Sequence, residues 1–154
     1  MKDDMSKLYP RLPIAKFNKL VNLTLKRLFE AAGCDITREQ EVILRELAQS
    51  DGFNQAELAK RVGQDRNNLS RTLRLLEDRS LIKRHVRGDD KRNSEVRITS
   101  AGRKLHAQAF EAIETYWTIL FEGFTQSEIL EISSNLDQLS NNLINFSENG
   151  EKTK

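Results

Sequence analysis

The sequence predicts a mainly α fold in which helices at both ends flank a helix-turn-helix and a two-stranded β-hairpin. Three observations carry this expectation. Apolar residues recur at helical spacing over most of the 154 residues, with only two prolines (Pro10 and Pro13) and seven glycines to interrupt them. Two short helical stretches stand one tight turn apart, with Gly63 in the turn. Residues 85–99, HVRGDDKRNSEVRIT, then place apolar residues in alternation on both sides of a polar centre, as two strands around a loop do.

The elements follow in order. Ile14, Phe17, Val21, Leu25 and Leu28 form the stripe of a first helix, widened by Leu20 and Phe29 and stopped at Gly33. Thr37 and Gln40 fit a capping box, and the helix they open carries Val42, Ile43, Leu44 and Leu47 to Ser50. Asp51-Gly52 is a turn signal. Asn54 caps a short helix that turns Leu58, Ala59 and Val62 inward and ends at Gly63. The next helix, about Arg66 to Arg79, buries Leu69, Leu73 and Leu76. The hairpin anchors inward through Val86, Val96 and Ile98, and Thr99-Ser100-Ala101-Gly102 opens a long helix towards Phe121. From about Gln126, Ile129, Ile132, Leu136, Leu139, Leu143 and Phe146 alternate spacings of three and four, an apolar seam suited to a partner helix.

A helix-turn-helix followed directly by a hairpin is a winged helix; that the N- and C-terminal helices build an all-helical dimerisation region is what the family resemblance described below implies. The expected organisation is a dimerisation helix over 1–34, a DNA-binding domain over 35–100, dimerisation helices over 101–147 and a disordered tail over 148–154. The dimerisation residues expected are Ile14, Phe17, Val21, Ile129, Ile132, Leu136, Leu139 and Leu143.

A net charge of +2 hides an uneven distribution. Residues 60–104 hold fourteen Lys/Arg against six Asp/Glu, and the remainder holds eleven against seventeen. The basic segment coincides with the helix-turn-helix and hairpin, the footprint expected for binding double-stranded DNA. On the helix after the turn, Arg66, Asn67, Asn68, Ser70, Arg71 and Arg74 fall outward or on the flanks when the leucines face inward. Arg can read guanine and Asn adenine in the major groove, while Ser70 and the other bases suit phosphates. On the wing, Lys83, Arg84 and Arg87 lie on the entering strand and Lys91 and Arg92 at the tip. An Arg on a thin hairpin can enter a narrow minor groove, and Asp90 stands close enough to hold Arg92 in one orientation.

On these residues the chain resembles the MarR/SlyA-type bacterial transcriptional regulators, over roughly residues 12–146. QAELAKRVGQDRNNLSRTLRLLEDRSLIKR is similar to the family's helix-turn-helix, where an Asp-Arg pair opens the recognition helix. GDDKRNSEVRITSAGRKL is similar to its wing, with Asp90, Arg92, Ile98, Thr99 and Gly102 at the matching positions. The resemblance implies a homodimer whose first and last two helices interlock and whose winged lobes bind a pseudo-palindromic operator. It implies a repressor released by a small phenolic or other lipophilic effector bound between the dimerisation and DNA-binding parts. One departure concerns the end of the recognition helix: many members carry Gly there, and this chain has Ser80 before Leu81. A left-handed Ser would cost about 1 kcal/mol relative to Gly.

Other classes are expected to be absent. The lone Cys34 rules out an intramolecular disulfide framework and a cysteine-rich zinc site, and no metal or cofactor is expected. No apolar run approaches the ~18–20 residues of a membrane span, and the start, MKDDMSK, lacks a signal-peptide core, so a cytoplasmic protein with no membrane partner is expected. No nucleophile elbow, phosphate-cradling loop or paired-carboxylate arrangement points to an enzyme. Two alternatives stay open: a winged-helix protein-interaction module without specific DNA binding, and a redox-responsive regulator using Cys34. Reactive cysteines need nearby cations or a helix N-terminus, and nothing adjacent to Cys34 in sequence supplies either, which favours a buried structural thiol. His106 is expected as a partly buried helix residue and His85 as a contact to backbone or phosphate.

Overall fold

The computed structural model describes residues 12–50, 52–86 and 94–150. Its elements are α1 (Ile14–Ala31), α2 (Arg38–Gln49), β1 (Phe53–Asn54), α3 (Gln55–Val62), α4 (Arg66–Asp78), β2 (Ile82–Val86), β3 (Ser94–Ile98), α5 (Ser100–Leu120) and α6 (Gln126–Gly150). The chain divides into two compact units, one up to Tyr116 and the other from Trp117.

In the first unit the expected punctuation is in place. Gly33 takes a left-handed φ of 66° just past α1. Thr37 and Gln40 close both halves of the capping box on α2, with Gln40 N–H donating to Thr37 Oγ1 and Thr37 N–H to Gln40 Oε1. Asn54 caps α3 by accepting from the Glu57 N–H at 2.9 Å, and Gly63 ends it with φ 64°. The core gathers Leu25, Phe29, Ile43, Leu44, Leu47, Leu58, Leu69, Leu73, Leu76, Ile82 and Val96. Val21, expected at the dimer seam, is buried inside this unit beside Leu25 and Phe29 on the same helix stripe, whereas Ile14 and Phe17 are exposed.

The two expected wing strands, β2 and β3, pair with one another, and a third strand joins them. The sheet has three antiparallel strands in the order β1-β3-β2, with Phe53 opposite Val96 and Asn54 opposite Glu95. A two-residue strand is too short to show a period, and it pairs with residues more than forty positions away, so no local pattern announces it. Between β2 and β3 the register sets Ile82 opposite Ile98, Lys83 opposite Arg97 and Arg84 opposite Val96.

In the second unit, Trp117 stacks on Phe121 at 5.5 Å and Phe121 meets Phe124 edge-on at 6.5 Å. Gly123 turns the chain with φ 84°. Thr125 and Glu128 then form a capping box on α6, with Thr125 N–H donating to Glu128 Oε2 at 2.8 Å and Glu128 N–H to Thr125 Oγ1 at 3.3 Å. The helix is assigned as far as Gly150, with no Pro or Gly before that residue. Residues 151–154 lie outside the described residues.

Candidate nucleic-acid interface

α3 and α4 form the helix-turn-helix, and small local bonds fix the turn. Gly63 allows the left-handed step, after which Gln64 N–H reaches back to the Ala59 carbonyl at 3.1 Å. Asp65 then starts α4, its Oδ1 accepting from the backbone N–H of Asn67 at 2.9 Å and of Asn68 at 3.0 Å. These bonds, that from Asn68 foremost, hold the Asp65 carboxyl below the usual carboxylate range. The arginine that closes α3 is also engaged: Arg61 lies over the Phe53 ring at 4.4 Å and pairs with Glu46 at 3.8 Å.

With Leu69, Leu73 and Leu76 completely buried, α4 turns the remaining faces outward. Arg66, Asn67, Asn68, Arg71 and Arg74 are exposed and Ser70 is half-buried. Asn68 and Arg71 line one groove together with Gln64 and Thr72. The C-terminal end of α4 is tied to the rest of the domain. Arg79 donates to the Asp35 carbonyl at 2.6 Å and to Gln40 Oε1 at 3.4 Å, which fixes the helix against the start of α2.

Ser80 follows with φ 57°, and it is the non-glycine residue with positive φ among the described residues. Ser80 N–H bonds the Glu77 carbonyl and Leu81 N–H bonds the Leu76 carbonyl, the pair of bonds that closes a helix through a left-handed residue. Thr99 locks this end to the start of α5. Its hydroxyl reaches the Ser80 and Leu81 carbonyls at 2.8 and 3.0 Å and accepts from the Gly102 N–H at 3.0 Å. Gly102 sits so close that a Cβ there would stand 2.2 Å from the Leu81 carbonyl oxygen.

Strand parity sorts the wing residues. Lys83 and His85 lie on the exposed side of β2. Arg84 shares the inward side with Ile82, and its Nε pairs with Glu77 at 3.1 Å. Arg84, expected among the DNA contacts of the wing, is thus half-buried on the side of β2 opposite to Lys83 and His85. Arg87, Asp90, Lys91 and Arg92 lie outside the described residues.

Residues 36–94 match the model of the MarR family. S. aureus MepR, solved as a DNA complex, is similar in structure, with a TM-score of 0.75 at 24% identity over 92% of this chain and 99% of that one. PcaV from Streptomyces coelicolor, solved with its natural ligand, gives a TM-score of 0.76 at 19% identity over 92% and 98%. A MarR-family transcriptional regulator from Silicibacter pomeroyi gives 0.66 at 25% identity over 84% and 86%. Residues 36–94 therefore carry a MarR-family domain. The fold is the winged helix of the MarR-type transcriptional regulators it resembles in structure.

Two further features centre on α2. Glu41 on α2 is only 2% exposed, with Oε1 3.5 Å from His106 Nδ1 on α5 and Oε2 3.8 Å from Arg45. Burial pushes the Glu41 carboxyl up against the opposing pull of Arg45. Burial, helped by Arg45, pushes the His106 imidazole down. Burial thus works against the charged form of both groups. Sequence reasoning missed Glu41. Its one signal is a carboxylate three residues before Leu44, on the edge of the apolar stripe.

The second feature is a cavity of about 550 Å³ at the end of α1 and the start of α2, lined by Lys26, Phe29, Glu30, Cys34, Ile36 and Arg38 among others. Cys34 is itself buried, and burial pushes its thiol up, away from the thiolate that redox sensing needs. Among the described residues no group of three or more His, Cys, Asp or Glu could hold a metal ion, and no helix is long and apolar enough to cross a membrane.

Proposed function

We propose that this MarR-family regulator is a homodimeric repressor that reads a pseudo-palindromic operator with paired α4 helices and is released by a small phenolic or lipophilic effector. The observation that carries the reading is α4 itself, anchored by three buried leucines while it offers Arg66, Asn67, Asn68, Arg71 and Arg74 to solvent. These are the side chains that pair with base edges and phosphates. The dimer is supported by α6, where Leu136, Leu139 and Leu143 are 52%, 46% and 70% exposed in the single chain. A continuous apolar seam of that kind marks an interface. The effector is supported by the cavity beside Phe29 and Ile36, where Lys26 and Arg38 offer cations to a phenolate or carboxylate. The solved DNA complex of MepR and ligand complex of PcaV fit both halves of the reading.

The test is titration of the full chain against an A·T-containing palindrome and against random DNA over a range of salt concentrations. Preference for the palindrome, with affinity falling steeply as salt rises, is expected. Equal affinity for both DNAs would overturn sequence-specific regulation and favour a protein-interaction role for the basic face.

A further inference from the structure

The start of α4 holds a contact that capping does not require. Asp65 Oδ1 alone satisfies the backbone N–H groups of Asn67 and Asn68. The second carboxylate oxygen, Oδ2, accepts a separate hydrogen bond from the side-chain amide of Asn68. Both residues are exposed on the face offered to DNA. Ser, Thr or Asn would cap the helix as well without turning a negative charge towards phosphates. The helix dipole favours an acid here, but neither the dipole nor the cap requires the bond from Asn68 to Oδ2.

The chemistry of the contact fixes the orientation of Asn68. A carboxylate has only acceptors, so the atom facing Asp65 is the amide nitrogen and never the amide oxygen. One N–H and the carbonyl oxygen remain to the amide. That donor–acceptor pair is the complement of the adenine edge in the major groove, which presents an N7 acceptor and an N6 donor. An untethered Asn amide on an exposed helix turns readily about its last bond, and its flipped form offers oxygen where a donor is needed.

We propose that Asp65 is a positioning residue for base recognition, its Oδ2 presetting the Asn68 amide to read adenine while its Oδ1 caps α4. The inference rests on the DNA-binding reading and adds to it one recognised base and the group that aims the reader. Asp65→Asn separates the two roles. It keeps the capping oxygen but sets an NH2 group against Asn68, which turns the Asn68 amide over. It also removes a negative charge, so general electrostatics and base reading move in opposite directions.

The experiment compares the full-length wild type, Asp65→Asn, Asn68→Ala and the double variant, by selection from a randomised duplex pool and by direct titration. The wild type is expected to prefer adenine about tenfold at one position of each half-site. Asp65→Asn should lose that preference at that position alone, while its affinity for random DNA stays equal or rises. Added to Asn68→Ala, it should change base preference no further. A purely structural cap would instead leave the adenine preference in place or weaken all positions together, and either result overturns the proposal. So does an adenine preference that survives in Asn68→Ala. A wild type without any base preference overturns the DNA-binding reading, and this inference with it, before any variant is compared.

Discussion

The Thr99 hydroxyl lies 2.8 Å from the carbonyl oxygen of Ser80, nineteen residues earlier, and so joins the end of α4 to the start of α5. The residue it holds has φ 57°, a conformation that favours Gly. Ser80→Gly should therefore raise stability, by about 0.5–1 kcal/mol once the extra freedom of the unfolded chain is discounted. Thr99→Val should lower it by about 1–3 kcal/mol, since it strips the Gly102 N–H of its acceptor. Urea unfolding of both variants checks the pair.

Gly102 is held by the same junction from the other side. A methyl group there would overlap the Leu81 carbonyl and crowd the Ile98 side chain, and a backbone carbonyl cannot swing aside as a flexible side chain can. Gly102→Ala is expected to cost about 1–3 kcal/mol as an overpacked site. Because the strain falls between α4 and the wing, DNA affinity should drop as well, measured by titration at a temperature where circular dichroism shows the variant folded.

Glu41 and His106 predict opposite limbs in the pH profile of stability. Below the ordinary imidazole value of 6.5 the unfolded chain takes up a proton that folded His106 resists, so stability is lost as the pH falls through that range. The raised Glu41 works the other way, its contribution being present below the ordinary value of 4.5 and lost as the pH rises through the folded value. His106→Asn should flatten the fall on acidification below pH 6.5. Glu41→Gln should stabilise the protein at pH 7.5 by on the order of 1 kcal/mol, because an amide has no ionisation that folding opposes. Denaturation midpoints measured across pH 4–8 distinguish the two limbs; a wild-type profile with no loss below pH 6.5 would contradict the first.

Neighbouring basic residues on β2 should behave differently. Lys83 is exposed, and Lys83→Ala should weaken binding to all DNA sequences and reduce the salt slope by about 1. Arg84 pairs with Glu77, so Arg84→Ala should leave the salt slope unchanged and lower the melting temperature. Arg71→Ala on the recognition helix should instead relax base preference with less effect on random DNA.

The apolar seam of α6 predicts the oligomeric state. Leu136→Asp with Leu139→Asp places charges in the middle of the exposed stripe and should convert a dimer into monomers by sedimentation velocity. Loss of operator affinity should accompany this, because one lobe then binds without its partner. Unchanged sedimentation would remove α6 from the interface.

What the sequence determined by itself is what short-range chemistry dictates. The capping box Thr37–Gln40, the Asn54 cap, the left-handed Gly63, the inward leucines of α4 and even the left-handed Ser80 are all written within a few residues of where they act. Helix periods and turn signals are local, and so they are legible in a single chain. Tertiary structure decided what depends on distant neighbours. β1 exists only because Phe53 finds Val96. Arg84 pairs with Glu77 on the inner side of β2, and Val21, expected at the dimer seam, is buried within its own unit. Glu41 is buried only when α5 brings His106 across it. The contact between Asp65 and Asn68 lies between these extremes: both residues stand in one helical turn, but only the folded geometry shows which oxygen caps the helix and which one aims the amide.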